Sequence, residues 1–197
     1  MTSISHILKV TKRNYAEEFV YKGGMFLRRI SEFRKFENDT QGDKSENLSY
    51  ILQEKDCLEF RLNGVEQKLS GSLKVWPEND PFIFCMYAIF QDDLPHPNQR
   101  YHLDSRCSLF GDTIVLIKDG LEFINRINSY CDKAKVSMQC GIVNYYDELN
   151  FSGPLTAFDK KRELSYQQEY RFSFDFDGLG LTKKIFIGNI SDIVEII

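Results

Sequence analysis

Histidine and tryptophan are scarce in this chain, with three and one among 197 residues. His6, His96 and His102 are scattered, without helical pairing, and His96 and His102 read as surface residues of a proline loop. The five cysteines are odd in number and include no C-x-x-C pair. That argues against a structural zinc site and for reduced thiols, so a cytoplasmic setting is expected. Walker A, G-x-G-x-x-G and G-x-S-x-G motifs are all missing, and "GLG" at 178–180 reads as a turn rather than a phosphate cradle. The longest apolar run, "FIFCMYAIF" at 82–90, is far too short to cross a bilayer as a helix. "MTSISHILKV" lacks the charged and apolar regions of a signal peptide. A basic excess is missing too: 25 Lys and Arg face 29 Asp and Glu, for a net charge of −4, so nucleic acid is a disfavoured partner.

Aromatic mass is abundant. Sixteen Phe and ten Tyr can fill the core of a single domain over 1–197. "HILKVT" (6–11) predicts a first strand. In "RNYAEEFVYKGG", Tyr15, Phe19 and Val20 share a helical face, and Gly23-Gly24 supplies the stop. "MFLRR" predicts a strand, and Ile30, Phe33 and Phe36 a short helix running into a polar loop at Gly42-Asp43. Asn63-Gly64 marks a hairpin that pairs Leu62 with Val65, Arg61 with Glu66, Glu59 with Lys68 and Leu58 with Leu69. This hairpin belongs to an insert around 48–80. "PFIFCMYAIF" reads as a buried central strand, and "DTIVLI" and "CGIVNYY" as further strands. At 120–135, Leu121, Ile124, Ile127, Cys131 and Ala134 recur at helical spacing. Strands dominate, and hairpins outnumber βαβ units, so the expected class is α+β with mainly antiparallel sheets and a few short helices.

The densest stretch is "SYQQEYRFSFDF" (165–176). As a strand it turns Tyr166, Gln168, Tyr170, Phe172, Phe174 and Phe176 one way, and Gln167, Glu169, Arg171, Ser173 and Asp175 the other. The polar face is either a solvated surface with a cross-strand ion pair or the wall of a site. Basic clusters at Lys9, Lys12 and Arg13, at Arg28 and Arg29, and at Lys160, Lys161 and Arg162 suit a small anionic ligand, or simply face water. Asp43 and Glu46 suit a cation or a helix cap, and two carboxylates alone do not define a metal site.

The order of these motifs resembles known proteins. "ILKVTKRNYAEEFVYKGGMFL" is similar to the opening of DarT-like ADP-ribosyltransferase-fold proteins: a strand, a short helix and a glycine before the next strand. "AFDKKRELSYQQEYRF" resembles the closing motif of an uncharacterised bacterial and phage family, a Lys-rich segment before an aromatic-x-x-Glu-aromatic-Arg strand. "CGIVNYYDEL" and "IGNISDI" flank it in the same order, and Gly42-Asp43 with Glu46 resembles a Gly-Asp-x-x-Glu of that family. The resemblance implies a split sheet of the ADP-ribosyltransferase kind, with NAD as cofactor. Lys9 falls on the family's histidine position and Thr11 on its threonine. Glu169 falls on the catalytic glutamate that stabilises an oxocarbenium ion, and Gln167 completes a Gln-x-Glu pattern. Arg28 and Arg171 become auxiliary ligand-binding groups. A lysine can grip a phosphate but cannot copy an imidazole's hydrogen bonds. The family's Ser-Thr-Ser strand has no clear counterpart here, and its nicotinamide-stacking tyrosine no secure one.

Two functions follow as expectations. One is a nucleotide-handling enzyme, an NAD-dependent ADP-ribosyl transferase or NAD-cleaving toxin in phage–host conflict. The other is a non-catalytic phage or prophage protein that sequesters a nucleotide signal or blocks a host protein. A purely structural role is a third. The expected partners are a nucleotide or dinucleotide and a host protein, with no membrane.

Overall fold

The computed structural model describes residues 3–36, 42–56, 60–67, 70–94 and 103–197. In chain order the strands are β1 Ile4–Thr11, β2 Gly24–Arg29, β3 Tyr50–Leu52, β4 Phe60–Leu62, β5 Val65–Gln67, β6 Leu73–Val75, β7 Phe82–Phe90 and β8 Thr113–Ile117. They continue with β9 Ser137–Ile142, β10 Asn144–Tyr146, β11 Gly153–Pro154, β12 Asp159–Lys161, β13 Glu169–Asp175, β14 Thr182–Phe186 and β15 Val194–Ile196. Two α-helices, α1 Arg13–Lys22 and α2 Gly120–Ala134, join several short 3₁₀ segments. The architecture is α+β with mainly antiparallel sheets; β10 and β12 run parallel.

Two compact units form. The first gathers Met1–Arg29, Pro81–Val143 and Tyr166–Ile197, and the second Ile30–Asp80 and Asn144–Ser165. The expected insert around 48–80 falls inside the second unit, which begins earlier and takes in a later stretch of chain.

The first unit is built on one sheet in the order β14-β2-β7-β1-β8-β15, with β13 on β7 and β9 on β13. β7 is its axis, because "FIFCMYAIF" is apolar on both faces and is buried nearly throughout. Along one edge β13 pairs with it from Phe82 to Tyr87. Along the other edge β2 pairs at Phe82 and Ile83, and β1 pairs from Tyr87 to Phe90. The sheet therefore forks at β7, with β1 and β2 diverging between Ile83 and Tyr87.

The main core covers one face of this sheet. Phe84 of β7 and Phe172 of β13 meet Phe19 of α1 and Phe123 of α2. The rings of Phe123 and Phe172 cross edge to face with centroids 5.8 Å apart, a favourable quadrupole arrangement. Tyr170, Phe172, Phe174 and Phe176 all lie in this core, as the alternation of the strand requires. Tyr166 does not share that face: it packs with Leu8, Tyr87, Ile89 and Cys107 in a smaller cluster. α1 buries Ala16, Phe19 and Val20 and leaves Tyr15 56% exposed, so the small residue rather than the tyrosine completes the buried stripe. Gly23 ends that helix in the left-handed region (φ 61), where a Cβ would also stand 2.2 Å from the Gly188 carbonyl oxygen. α2 turns Phe123, Ile127 and Cys131 inward and leaves Leu121 73% exposed. The helical period is as expected, but the stripe is rotated toward the larger aromatic side chain.

In the second unit β3 pairs with β6 and β11, and Leu48, Ile51, Tyr146 and Leu155 form its core. The Asn63-Gly64 hairpin is present. Leu62 faces Val65, Arg61 faces Glu66, and φ is 50° and 80° at the two turn residues, as a type I′ turn demands. The expected Glu59–Lys68 and Leu58–Leu69 pairs lie outside the described residues, as do His96 and His102. "CGIVNYY" is not one strand: β9 ends at Ile142 in the first unit, and β10 begins at Asn144 in the second.

Candidate functional site

The chain enters β13 from a 3₁₀ segment, Arg162–Gln167, through Gln168 with φ 37°. That left-handed residue breaks the alternation assumed for 165–176. Gln167 therefore precedes the strand; it is buried, with its amide 3.4 Å from the Tyr166 hydroxyl. The turn is pinned to the sheet on both sides: Ala88 N–H donates to the Gln168 carbonyl at 2.7 Å and Val143 N–H to the Glu169 carbonyl at 2.9 Å.

Cα register fixes which side chains share a face. Leu8, Tyr87 and Glu169 stand in one row across β1, β7 and β13. Arg28, Ile83 and Ser173 stand in another across β2, β7 and β13, and Arg171 lies opposite Cys85 between them. Positions 83, 85 and 87 of β7 point the same way. Arg28, Arg171 and Glu169 therefore share the face opposite the main core. This polar face is not a solvated surface. Arg171 is 0% exposed and Glu169 3%, and the Arg171 Nε donates to the Glu169 Oε1 at 2.6 Å. A charge-assisted bond of that length in a buried place is a strong local constraint.

Lys9 and Thr11 alternate onto the other face. Lys9 is registered with Val115, and Thr11 with Thr113 at the end of β1. The Lys9 side chain lies over the Phe84 ring, 4.4 Å from its centroid, and its ammonium donates to the Cys85 carbonyl at 2.6 Å. Cys85 sits inside the fork, between the β1 pairing that ends at Tyr87 and the β2 pairing that ends at Ile83. The lysine thus supplies a donor to the β7 backbone where the sheet divides. Burial pushes its pKa below the usual lysine range, while Cys85 and the Glu169 carboxylate act to raise it. Lys9 and Glu169 therefore feel each other across β7 although their strands aim them apart. Thr11 shares Lys9's face, and its backbone is closely covered: a Cβ at Gly111 would stand 2.0 Å from the Thr11 carbonyl carbon.

The six residues marked in the sequence thus form two sets. Glu169, Arg171 and Arg28 share one face, with Gln167 in the turn leading to it, and Lys9 and Thr11 lie on the reverse. The sequence could not reveal this split, because it depends on which β7 residue each strand meets.

A second polar cluster lies in the other unit. Asp43, Ser45, Glu46, Asn47 and Lys160 are all buried. The Asp43 Oδ1 accepts from the Ser45 N–H at 2.9 Å, closing the turn that follows it; Asp43 heads a turn here and not the helix it was expected to cap. Lys160 approaches Glu46 at 3.6 Å and Lys161 approaches Asp43 at 3.9 Å. Burial and the neighbouring Glu46 push the Asp43 carboxyl above its usual range. Tyr146 was not singled out in the sequence. Its ring belongs to the core beside Phe151, and burial first, then Glu148, Asp43 and Glu46, raise the pKa of its phenol. The parallel pairing of β10 with β12 places Tyr146 beside Lys161, a register that the sequence does not announce. Among the described residues, no group of three or more His, Cys, Asp or Glu side chains is arranged to hold a metal ion.

Comparison with family models, curated proteins and solved structures finds no match to this chain.

Proposed function

We propose that the protein is a non-catalytic binder of an anionic nucleotide or dinucleotide, acting in a reducing cytoplasm to sequester a nucleotide signal. The observation that carries this reading is the buried bond from the Arg171 Nε to the Glu169 carboxylate. A carboxylate that stabilises a developing oxocarbenium ion must offer its charge to the sugar. Here that charge is already neutralised by a guanidinium, and Thr11, the ligand-anchoring partner implied by the resemblance, lies on the reverse face. Arg28 on the Glu169 face adds positive charge suited to phosphates. Cys85, Cys107, Cys131 and Cys140 are free thiols, which supports a reducing compartment. Among the described residues no helix is long and apolar enough to cross a membrane.

NAD-dependent ADP-ribosyl transfer or NAD cleavage, with Glu169 as the reacting carboxylate, is the second reading. The electrostatic link between Lys9 and Glu169 favours it, because it ties together the positions that match the family's histidine and glutamate. Nicotinamide release from NAD, followed beside calorimetric binding of NAD and ADP-ribose, separates the two. The binder predicts no release from the parent or from Glu169→Gln, and nucleotide binding that weakens at least about tenfold in Arg28→Ala. Release by the parent but not by Glu169→Gln would establish the enzyme instead. Absence of binding for both nucleotides would end the nucleotide reading.

A further inference from the structure

In the second unit the Asp43 Oδ2 and the Tyr146 hydroxyl are buried without a hydrogen-bond partner among the described residues. Both belong to the same cluster, since Tyr146 is registered with Lys161 across β10 and β12 and the Lys161 ammonium lies 3.9 Å from the Asp43 carboxylate. Asp43 is 1% exposed and Tyr146 8%. Buried polar atoms are nearly always satisfied, so two unmet ones aimed into one polar cluster call for a shared partner. A carboxylate oxygen can only accept, whereas a phenol can both donate and accept.

The surrounding charges define that partner further. Asp43, Glu46 and Glu148 are matched by Lys161, Lys160 and Lys74, with Lys74 and Ser45 both bonded to Glu148. The balance gives no net attraction for an anion, and among the described residues no group of three or more His, Cys, Asp or Glu side chains is arranged to hold a metal ion. A neutral group carrying O–H donors next to acceptor oxygens fits. The cluster also has an approach: Lys161, Lys74 and Glu148 keep side-chain exposures of 26%, 28% and 23%.

We propose that Asp43 and Tyr146 form a binding centre for a vicinal diol of a sugar, with one hydroxyl donating to the Asp43 Oδ2 and its neighbour bonded to the Tyr146 phenol. Lys160 and Lys161 hold the carboxylates in place. The centre lies wholly within the second unit and stands apart from the sheet-face reading above; a ribose serves as its probe.

Adenosine and 2′-deoxyadenosine are the probes, because they differ only in one member of the diol. Calorimetry is expected to show adenosine binding at least about tenfold more tightly, and that preference is expected to vanish in Tyr146→Phe and in Asp43→Asn. Tyr146→Phe removes only the oxygen, and the thermal midpoint of the free variant is expected to stay level or rise, since an unmet buried hydroxyl is lost. Equal affinity for the two nucleosides in the parent overturns the diol. Undiminished preference in both variants overturns the assignment to these residues. A fall in midpoint for Tyr146→Phe with unaltered binding also overturns it, and identifies the pair as a structural network closed by buried water. Arg28→Ala, a change in the first unit, is expected to leave the adenosine preference unaltered, and loss of that preference there would overturn the assignment to the second unit.

Discussion

Replacing Arg171 with Met tests the central geometric feature of the first unit. The side chain is fully buried, and its Nε lies 2.6 Å from the Glu169 carboxylate. Methionine keeps much of the volume and removes the charge. Glu169, itself 3% exposed, then holds a buried carboxylate without its guanidinium. Removing one partner of a buried pair costs about 3–5 kcal/mol, because the remaining ion has already lost its hydration. Against a typical domain stability of about 5–15 kcal/mol, that is a large fraction. Glu169→Gln combined with Arg171→Met removes both charges, and the double variant is expected to recover most of the loss. A double-mutant cycle by urea unfolding at neutral pH measures this directly, with an expected coupling of about 2 kcal/mol or more. The single variant should also lose less in acid, as protonation relieves the stranded carboxylate. A cost below about 1 kcal/mol for Arg171→Met, the range of exposed ion pairs, would refute the buried clamp and return these residues to a solvated face.

Two further outcomes follow from the fork and from the end of β1. The Lys9 pKa is lowered by burial from its ordinary 10.5, so between the folded value and 10.5 the unfolded chain binds the extra proton and stability rises with pH. Lys9→Met should remove that rise; a parent-minus-variant stability difference that stays flat from pH 7 to about 10 would contradict the burial. Gly111→Ala places a Cβ 2.0 Å from the Thr11 carbonyl carbon, a clash with backbone that cannot swing aside, and should cost about 1–3 kcal/mol in urea unfolding. An unchanged midpoint would mean that the Gly111 turn and the end of β1 are not in contact.

Local chemistry was legible in the sequence wherever one or two residues decide the outcome. Asn63-Gly64 specified its turn and register, Gly23 ended α1, and the two-sided apolar run of 82–90 announced the axis of the sheet. The helical faces were legible in period but not in phase: Ala16 and Phe123 are buried where Tyr15 and Leu121 were expected. Packing chose between near-equal stripes, and it chose by the shape of the facing aromatic rings. The site was least legible. Glu169 and Arg171 were correctly placed on one face of a strand, but burial of that face depends on what covers it, which no alternation pattern encodes. Gln168 in the left-handed region severed Gln167 from the strand, and glutamine carries no sequence signal for that conformation. Tyr146 was hidden because a three-residue strand supplies too few positions for a period to appear.

The fork also gives a physical reason for lysine at position 9. Where β1 and β2 separate on one edge of β7, the Cys85 carbonyl takes a donor from the Lys9 ammonium, and a buried carbonyl needs a donor. A side chain at position 9 must pass the Phe84 ring to reach the Cys85 oxygen, and a long apolar stem ending in an ammonium does both. An imidazole is shorter and rigid, and as a neutral ring it has one N–H to give. Lysine at this point is therefore accounted for by the sheet itself, before any ligand is invoked. It follows that the histidine position and the catalytic glutamate position of the resembled enzymes carry, in this chain, two groups each already engaged by its own structure: Lys9 by a backbone carbonyl and Glu169 by Arg171. On the binding reading proposed above, a ligand is held by charge and shape, because Lys9 already serves a backbone carbonyl and Arg171 screens the Glu169 carboxylate. That asymmetry is why the release of nicotinamide, rather than the affinity for NAD, is the measurement that decides between the two functions.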